Sequence, residues 1–282
     1  MKHIALSTLF TALVLCAGLA RATDMPIFDA HIHYSHDAWE QTPPPEAIAI
    51  LRKAGLKYAL VSSSGDEGTQ RLAALAPDLV LPALRPYRMR GETSSWMRNE
   101  SVIRFLEDRL SKSRYVAIGE FHLYGKDADL PVPRRMIALA KQYKLVLHAH
   151  SDADAVNRIF QQYPEARVIW AHSGFDHPEL IAEQLRKHKN LWSDLAFRTD
   201  HGSGASVPAT WRSLFEEFPD RFMVGSDTYT PERWHYIGEH ARWSRAWLGS
   251  LPRPLAEMIA WRNAETLFAN YLPNIASVSG TK

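Results

Sequence analysis

The sequence predicts a single α/β domain, a (β/α)8 barrel of parallel strands, and three observations predict it. Eight short runs rich in Val, Ile, Leu or aromatics recur along the chain, the composition of strands covered on both faces. Helical stretches separate them, as parallel neighbours require. No glycine-rich phosphate loop follows the first run, where an open doubly wound sheet would carry one; His31-Ile32-His33 stands there instead. The 282 residues, 46% of hydrophobic type, suffice for one core, since such barrels run about 250 residues as one domain.

Residues 1–22 stand apart from the rest. Lys2 and His3 precede the apolar run Ile4–Leu19, and Ala20-Arg21-Ala22 follows. A basic start, an apolar segment and small residues two apart read as a secretory signal peptide cut after Ala22. The run is short for a membrane span of about 20 apolar residues, so no membrane attachment is expected after cleavage. Residues 23–282 are then the barrel domain, and the mature protein is expected to be periplasmic or secreted. Leu15 stands where a lipoprotein would carry a small residue before Cys16. Cys16 is the only cysteine and leaves with the leader, as do Lys2 and Arg21, which makes the mature charge 31 basic against 31 acidic. A neutral domain exerts little pull on nucleic acid. It has no disulfide, thiolate site or cysteine nucleophile, so any metal must be held by His and carboxylates.

In order, the expected strands are Pro26–His31, Tyr58–Ser62, Leu79–Leu84, Tyr115–Glu120, Leu145–His148, Val168–His172, Leu191–Leu195 and Phe222–Gly225. The expected helices are Glu46–Ala54, Val102–Leu110, Arg134–Tyr143, Ala153–Gln162 and Pro178–His188. Pro44, Pro133 and Pro178 sit where helices start, and Gly55 where one ends. Met89–Asn99 reads as a longer loop after the third strand, and the polar tail from Ile275 as frayed. The nine Trp read as packing residues rather than a binding box.

Metal-type side chains fall repeatedly at the carboxyl ends of these strands, the face on which a barrel builds its site. His31 and His33, two apart in a strand, point the same way and converge on one ion, and Asp29 is expected to share that direction and orient an imidazole. Glu120 ends the fourth strand, where a carboxylate is costly unless paired or coordinated, and its two oxygens can bridge two cations. The fifth strand offers His148 and His150; His148 directly ends the apolar run and is the preferred ligand, with His150 lining the pocket. His172 ends the sixth strand, and Asp227, after the eighth, can both ligate and accept a proton. His122 lies two residues beyond Glu120 and faces the pocket in this reading; His201, with Arg198 and Asp200, follows the seventh strand. Arg85, nearest the third strand's end among Arg85, Arg88, Arg90 and Arg98, is expected to hold an anionic part of the substrate.

These residues resemble the amidohydrolase superfamily, above all its amidohydrolase-related group, with some likeness to the TatD-type hydrolases. The motifs are DAHIH at 29–33, IGE at 118–120, LHAH at 147–150, WAHSG at 170–174 and GSD at 225–227, and 262–268 looks like the family's closing helix. The resemblance covers nearly all of the mature chain. It implies a TIM barrel with one or two divalent ions, His31 and His33 on one, His148 and His172 on the other, Glu120 between them, and Asp227 as ligand and general base. Some relatives bridge with a carboxylated lysine; Glu120 takes that position here.

The expected chemistry is water activation by a divalent ion, zinc first, with manganese or iron as alternatives. No G-x-S-x-G serine is present. The expected substrate is a small amide, ester or lactone. Phosphoester or nuclease hydrolysis of the TatD kind, metal-dependent decarboxylation and a non-catalytic periplasmic binding protein stay open.

Overall fold

The computed structural model describes residues 25–202 and 204–272. The leader at 1–22, with Cys16, and the tail from Ile275 lie outside the described residues. Eight parallel strands form one sheet in sequence order: β1 (Ile27–His33), β2 (Leu56–Ser63), β3 (Val80–Leu84), β4 (Ala117–Leu123), β5 (Val146–Ser151), β6 (Val168–Trp170), β7 (Leu191–Asp194) and β8 (Phe222–Met223). β8 has only two residues, and the seam back to β1 is closed by separate bonds. Ala30 N–H donates to the Val224 carbonyl at 2.9 Å and Asp227 N–H to the His31 carbonyl at 2.8 Å. The result is a nearly closed (β/α)8 barrel.

The helices are α1 (His36–Gln41), α2 (Pro44–Lys53), α3 (Glu67–Leu75), α4 (Ser101–Lys112), α5 (Pro131–Tyr143), α6 (Ala153–Gln162), α7 (Pro178–Lys187), α8 (Ala209–Glu217), α9 (Ile237–Leu248), α10 (Arg253–Glu257) and α11 (Asn263–Leu267). Pro44, Pro131 and Pro178 open their helices, where a missing N–H costs nothing. The Asp152 side chain caps α6 by accepting the Ala155 N–H at 2.8 Å. α4 buries Val102, Leu106 and Leu110, one stripe at a spacing of four, against the strands. The expected loop Met89–Asn99 contains two single 3-10 turns and sinks Trp96 completely, its indole N–H donating to the His122 carbonyl at 2.8 Å. Among the described residues no helix is long and apolar enough to cross a membrane.

Two apolar layers set the depth of everything else. Strand side chains facing the helices join the outer core, Ile27, Ile32, Ile118 and Phe121 among them. Inside the barrel a second cluster includes Phe28, Ala30, Ala117, Val146 and Ile169, closed from below by Leu267 and Phe268; the Phe268 ring stacks on Phe28 at 5.7 Å. The amino end of the barrel is therefore a dry plug, and polar groups are left to the carboxyl end.

Two register breaks aim the site. β1 slips against β2 between Asp29 and Ile32, and β4 slips against β5 between Gly119 and Phe121. In β1 the break lets Phe28 and Ala30 fill the interior below while His31 and His33 fill it above. Bulges of this kind re-aim side chains beside functional sites. The same slip corrects the expectation for Asp29. Out of phase with His31, its Oδ1 accepts the backbone N–H groups of His31 and Ser226, both at 3.0 Å, and pins the β1–β8 seam rather than an imidazole. At Gly119, φ is +135° and a Cβ would stand 2.2 Å from the His148 carbonyl oxygen, so only glycine lets β4 approach β5 this closely.

Candidate metal centre

His31 and His33 meet at the mouth of the barrel with their Nε2 atoms 3.1 Å apart. Each ring is held from behind. His31 Nδ1 lies 3.2 Å from Asp194 Oδ2, and His33 Nδ1 2.8 Å from Ser62 Oγ. His172 follows the same plan: its Nδ1–H donates to the Ala196 carbonyl at 2.9 Å, which turns Nε2 inward. Asp227 Oδ1 stands 3.4 Å from His33 Nε2 and 3.7 Å from His31 Nε2, and it is a buried oxygen without any hydrogen-bond partner.

Glu120 lies between two sets of imidazoles. Its Oε2 is 3.2 Å from His33 Nε2; its Oε1 is 2.7 Å from His150 Nδ1, 3.3 Å from His172 Nε2 and 3.6 Å from His31 Nε2. The fifth-strand histidines differ from the sequence expectation. Both face inward, but β5 pairs His148 with Gly119 and Ile169, one layer down, and His150 with His122 at the rim. His148 Nε2 accordingly bonds Asp194 Oδ2 at 2.8 Å, and His150 is the one beside Glu120. Three groups bring single ligand atoms within 4.8 Å of one another: His31, His33 and Asp227; Glu120, His150 and His172; and His31, His172 and Asp194.

Asp194 is absent from the sequence expectation. It ends β7, fully buried, and accepts from His31, from His148, and from the backbone N–H groups of His172 and Ala196, each at 3.0 Å. Its signal was the one that singled out Glu120, a carboxylate at the end of an apolar strand.

Charge sorts these groups. Burial would raise Glu120, but the His31 charge and hydrogen bonds from His150, His172 and His31 outweigh it and hold its carboxyl well below the usual range. Asp194 is likewise buried, and is held low by His31 and His148. Burial dominates at Asp227 and raises it. His31 is opposed by burial, yet Asp194, Asp227 and Glu120 lift it well above an ordinary histidine. His33 goes the other way, lowered by burial and by Arg85. Glu120 is paired with the Arg85 guanidinium, and Glu120, Asp194 and Asp227 all surround His31. The unpartnered Asp227 oxygen and the converging imidazole nitrogens fit a divalent cation.

The remaining expected residues fall as follows. Arg85 lines the cavity, but its Nε donates to the Glu120 carbonyl at 3.1 Å and its Nη2 to Glu120 Oε2 at 2.9 Å. It orients Glu120 from the wall of the cavity. His122 lines the cavity, stacked on His150 at 4.0 Å. The Tyr87 hydroxyl accepts the His122 backbone N–H at 2.8 Å and lies 2.9 Å from His122 Nδ1, which fixes the ring's orientation. Burial lowers His122 to about 4, so at neutral pH it is uncharged. His201 is elsewhere: its ring sits among Trp211, Trp243 and Trp247 at 4.9–5.9 Å, both nitrogens buried without partners, its pKa pushed down to about 3 by burial. The loop after β7 turns this side chain into the outer aromatic packing.

Above the centre lies a cavity of about 480 Å³, within the usual range for a small-molecule site. Its floor includes His33, Glu120, His150, His172 and Asp227.

A family model described as amidohydrolase matches residues 99–269. No curated protein matches the chain. Among solved structures, an uncharacterised TIM-barrel protein of Bordetella bronchiseptica is 15% identical, covering 87% of this chain and 99% of its own, with a TM-score of 0.57. A Pseudomonas putida protein, provisionally titled a 2-pyrone-4,6-dicarboxylic acid hydrolase, is 14% identical over 89% of this chain and 99% of its own, with a TM-score of 0.59. A β-aspartyl dipeptidase of Fervidobacterium islandicum is 14% identical over 86% of this chain and 72% of its own, with a TM-score of 0.53. At these identities the likeness is one of fold.

Proposed function

The chain belongs to the amidohydrolase family, and from that premise we propose that it hydrolyses a small ester, lactone or amide over a centre built from His31, His33, Glu120, His150, His172 and Asp227. It is a metal-dependent hydrolase in kind; the substrate class and the residue roles are the proposal. In this reading His31, His33 and Asp227 hold one divalent ion, and Glu120, His150 and His172 hold the other. Imidazole and carboxylate donors suit zinc, with manganese or iron as alternatives. The observation that carries the reading is the buried, unpartnered Asp227 Oδ1 facing the two Nε2 atoms of His31 and His33.

When bound, such an ion supplies a Lewis acid and lowers the pKa of water to about 7. The chain's own groups do the rest. The Asp227 carboxylate accepts the proton of the attacking water and passes it to the leaving group. His122, held by Tyr87, presents an uncharged ring to the substrate from the rim. Arg85 neutralises and orients Glu120. The phosphoester reading is weaker because Arg85 and Arg90, both lining the cavity, are paired with Glu120 and Asp37.

A panel of esters, lactones, amides and phosphoesters, assayed with and without chelator, tests this. Chelator-sensitive turnover of one of the first three is expected. Turnover confined to phosphoesters, or indifferent to chelator, contradicts it. The β5 assignment has its own check: in metal analysis of dialysed protein, His150→Ala should lose one ion per chain and His148→Ala should keep its full complement, the reverse restoring His148 as the ligand.

We also read residues 1–22 as an export leader, from their basic start, apolar run and small-residue site. N-terminal sequencing of the exported protein should begin at Thr23; an exported chain still carrying residues 1–22 contradicts the reading.

A further inference from the structure

The mouth of the cavity is lined on one side by three aromatic rings that packing does not account for. Phe175, Phe197 and Tyr229 are 49%, 47% and 51% exposed, unusual for side chains of this size. They come from the loops after β6, β7 and β8 and all line the cavity over the metal centre. They form a continuous edge-to-face row: Phe175 to Phe197 at 6.4 Å and 87°, Phe197 to Tyr229 at 5.4 Å and 88°. Phe175 also lies flat on the His172 imidazole, 4.6 Å away at 16°. Arg233 braces the row, its guanidinium 5.0 Å from the Phe197 ring and 5.2 Å from the Tyr229 ring.

The backbone is bent to put them there. His172, Ser173, Gly174 and Phe175 run consecutively at φ of +56°, +52°, +65° and +56°, and Phe197 also stands at +56°. Left-handed backbone is uncommon outside glycine and most unusual for a bulky residue. Conformations of this cost persist where the surroundings enforce them, and they concentrate at ligand sites. The same cavity also carries the polar groups Ser35, Asp37, Arg90 and Thr93. An exposed aromatic row beside polar groups favours a flat ring presented edge or face to Phe197, with its reacting group turned down to the metal centre.

We propose that Phe175, Phe197 and Tyr229 form a subsite for a planar aromatic or conjugated ring attached to the scissile carbonyl, so that the substrate is an aryl or ring-conjugated ester, lactone or amide. The inference rests on the hydrolase reading above, because it places the carbonyl over the same centre. It adds a specificity that the centre itself does not impose.

The test uses two metal-directed probes that differ only in the ring, benzohydroxamic acid and acetohydroxamic acid, titrated calorimetrically into the metal-loaded protein. Benzohydroxamate should bind about tenfold tighter, the scale expected of an aromatic ring gaining ring contacts and burial. Phe197→Ala and Tyr229→Ala, with unchanged circular dichroism, should each reduce that ratio several-fold through the benzohydroxamate constant, leaving the acetohydroxamate constant where it was. Phe197→Tyr, which keeps a ring, should retain most of the ratio. Equal binding of the two probes by the wild type, or a ratio untouched in both alanine variants, overturns the aromatic subsite while the hydrolase reading stands. Failure of both probes to bind metal-loaded protein overturns the metal centre and the subsite with it.

Discussion

Asp227→Asn is expected to keep the fold and lose turnover by about a thousandfold, the middle of the range for a positioned general base. Three features single this carboxylate out. Its Oδ1 has no hydrogen-bond partner although it is buried, so the oxygen is held for something other than stability. It stands within 3.7 Å of both first-strand Nε2 atoms. And its backbone, at φ +53°, is fixed by its N–H to the His31 carbonyl and by Arg233 donating to its own carbonyl and to that of Ser226. Asparagine retains the shape and one coordinating oxygen but cannot accept the proton. The loss should therefore appear in kcat with little change in metal content or melting temperature. Burial also keeps this carboxyl protonated to a higher pH than an exposed one, so within that range an ion entering the centre competes with a proton. Metal affinity should accordingly weaken as the pH falls through that raised range. Wild-type kcat in Asp227→Asn removes the residue from the base role.

The second large effect is expected at Asp194, which does not line the cavity over the centre. Its carboxylate collects the His31 and His148 rings and two backbone N–H groups in one buried knot. Asp194→Ala strands all four, and removing one partner of a buried charged network costs about 3–5 kcal/mol. With the back of His31 released, metal affinity should fall about 10–100-fold, as for other groups that orient a ligand from behind. Asp194→Asn keeps the shape and should recover most of the stability but not the affinity, because it no longer balances the raised charge on His31. Chemical denaturation and metal titration of the two variants separate these effects. An Asp194→Ala protein as stable and as metal-avid as the wild type contradicts this account of the site.

Much of the architecture was legible because a barrel strand buried on both faces has a simple composition. All eight strands lie where the apolar runs are, and the ends moved by a few residues. Helices with small or polar buried faces were harder. α3 buries Gly68 and Thr69 beside Leu72, which leaves no apolar stripe to read. α8 carries a clear one in Trp211, Leu214 and Phe215, and the sequence reading still names no helix there. In the centre, the residue types at strand ends were readable, and their depth was not. Whether His148 or His150 reaches Glu120 depends on inter-strand register, and the alternation that would place Asp29 beside His31 is broken by a bulge. Arg85 was legible as a cation near the mouth, but its commitment to Glu120 requires β3 and β4 side by side. The left-handed turns that raise Phe175 and Phe197 leave no mark beyond Gly174.

The most direct test of the central claim is anomalous diffraction from crystals of the protein soaked with zinc or manganese. The account predicts a peak bonded to His31 Nε2, His33 Nε2 and Asp227, with the second group, Glu120, His150 and His172, as the other place an ion is found. Well-ordered crystals that show no ion against those three residues at saturating metal would contradict it.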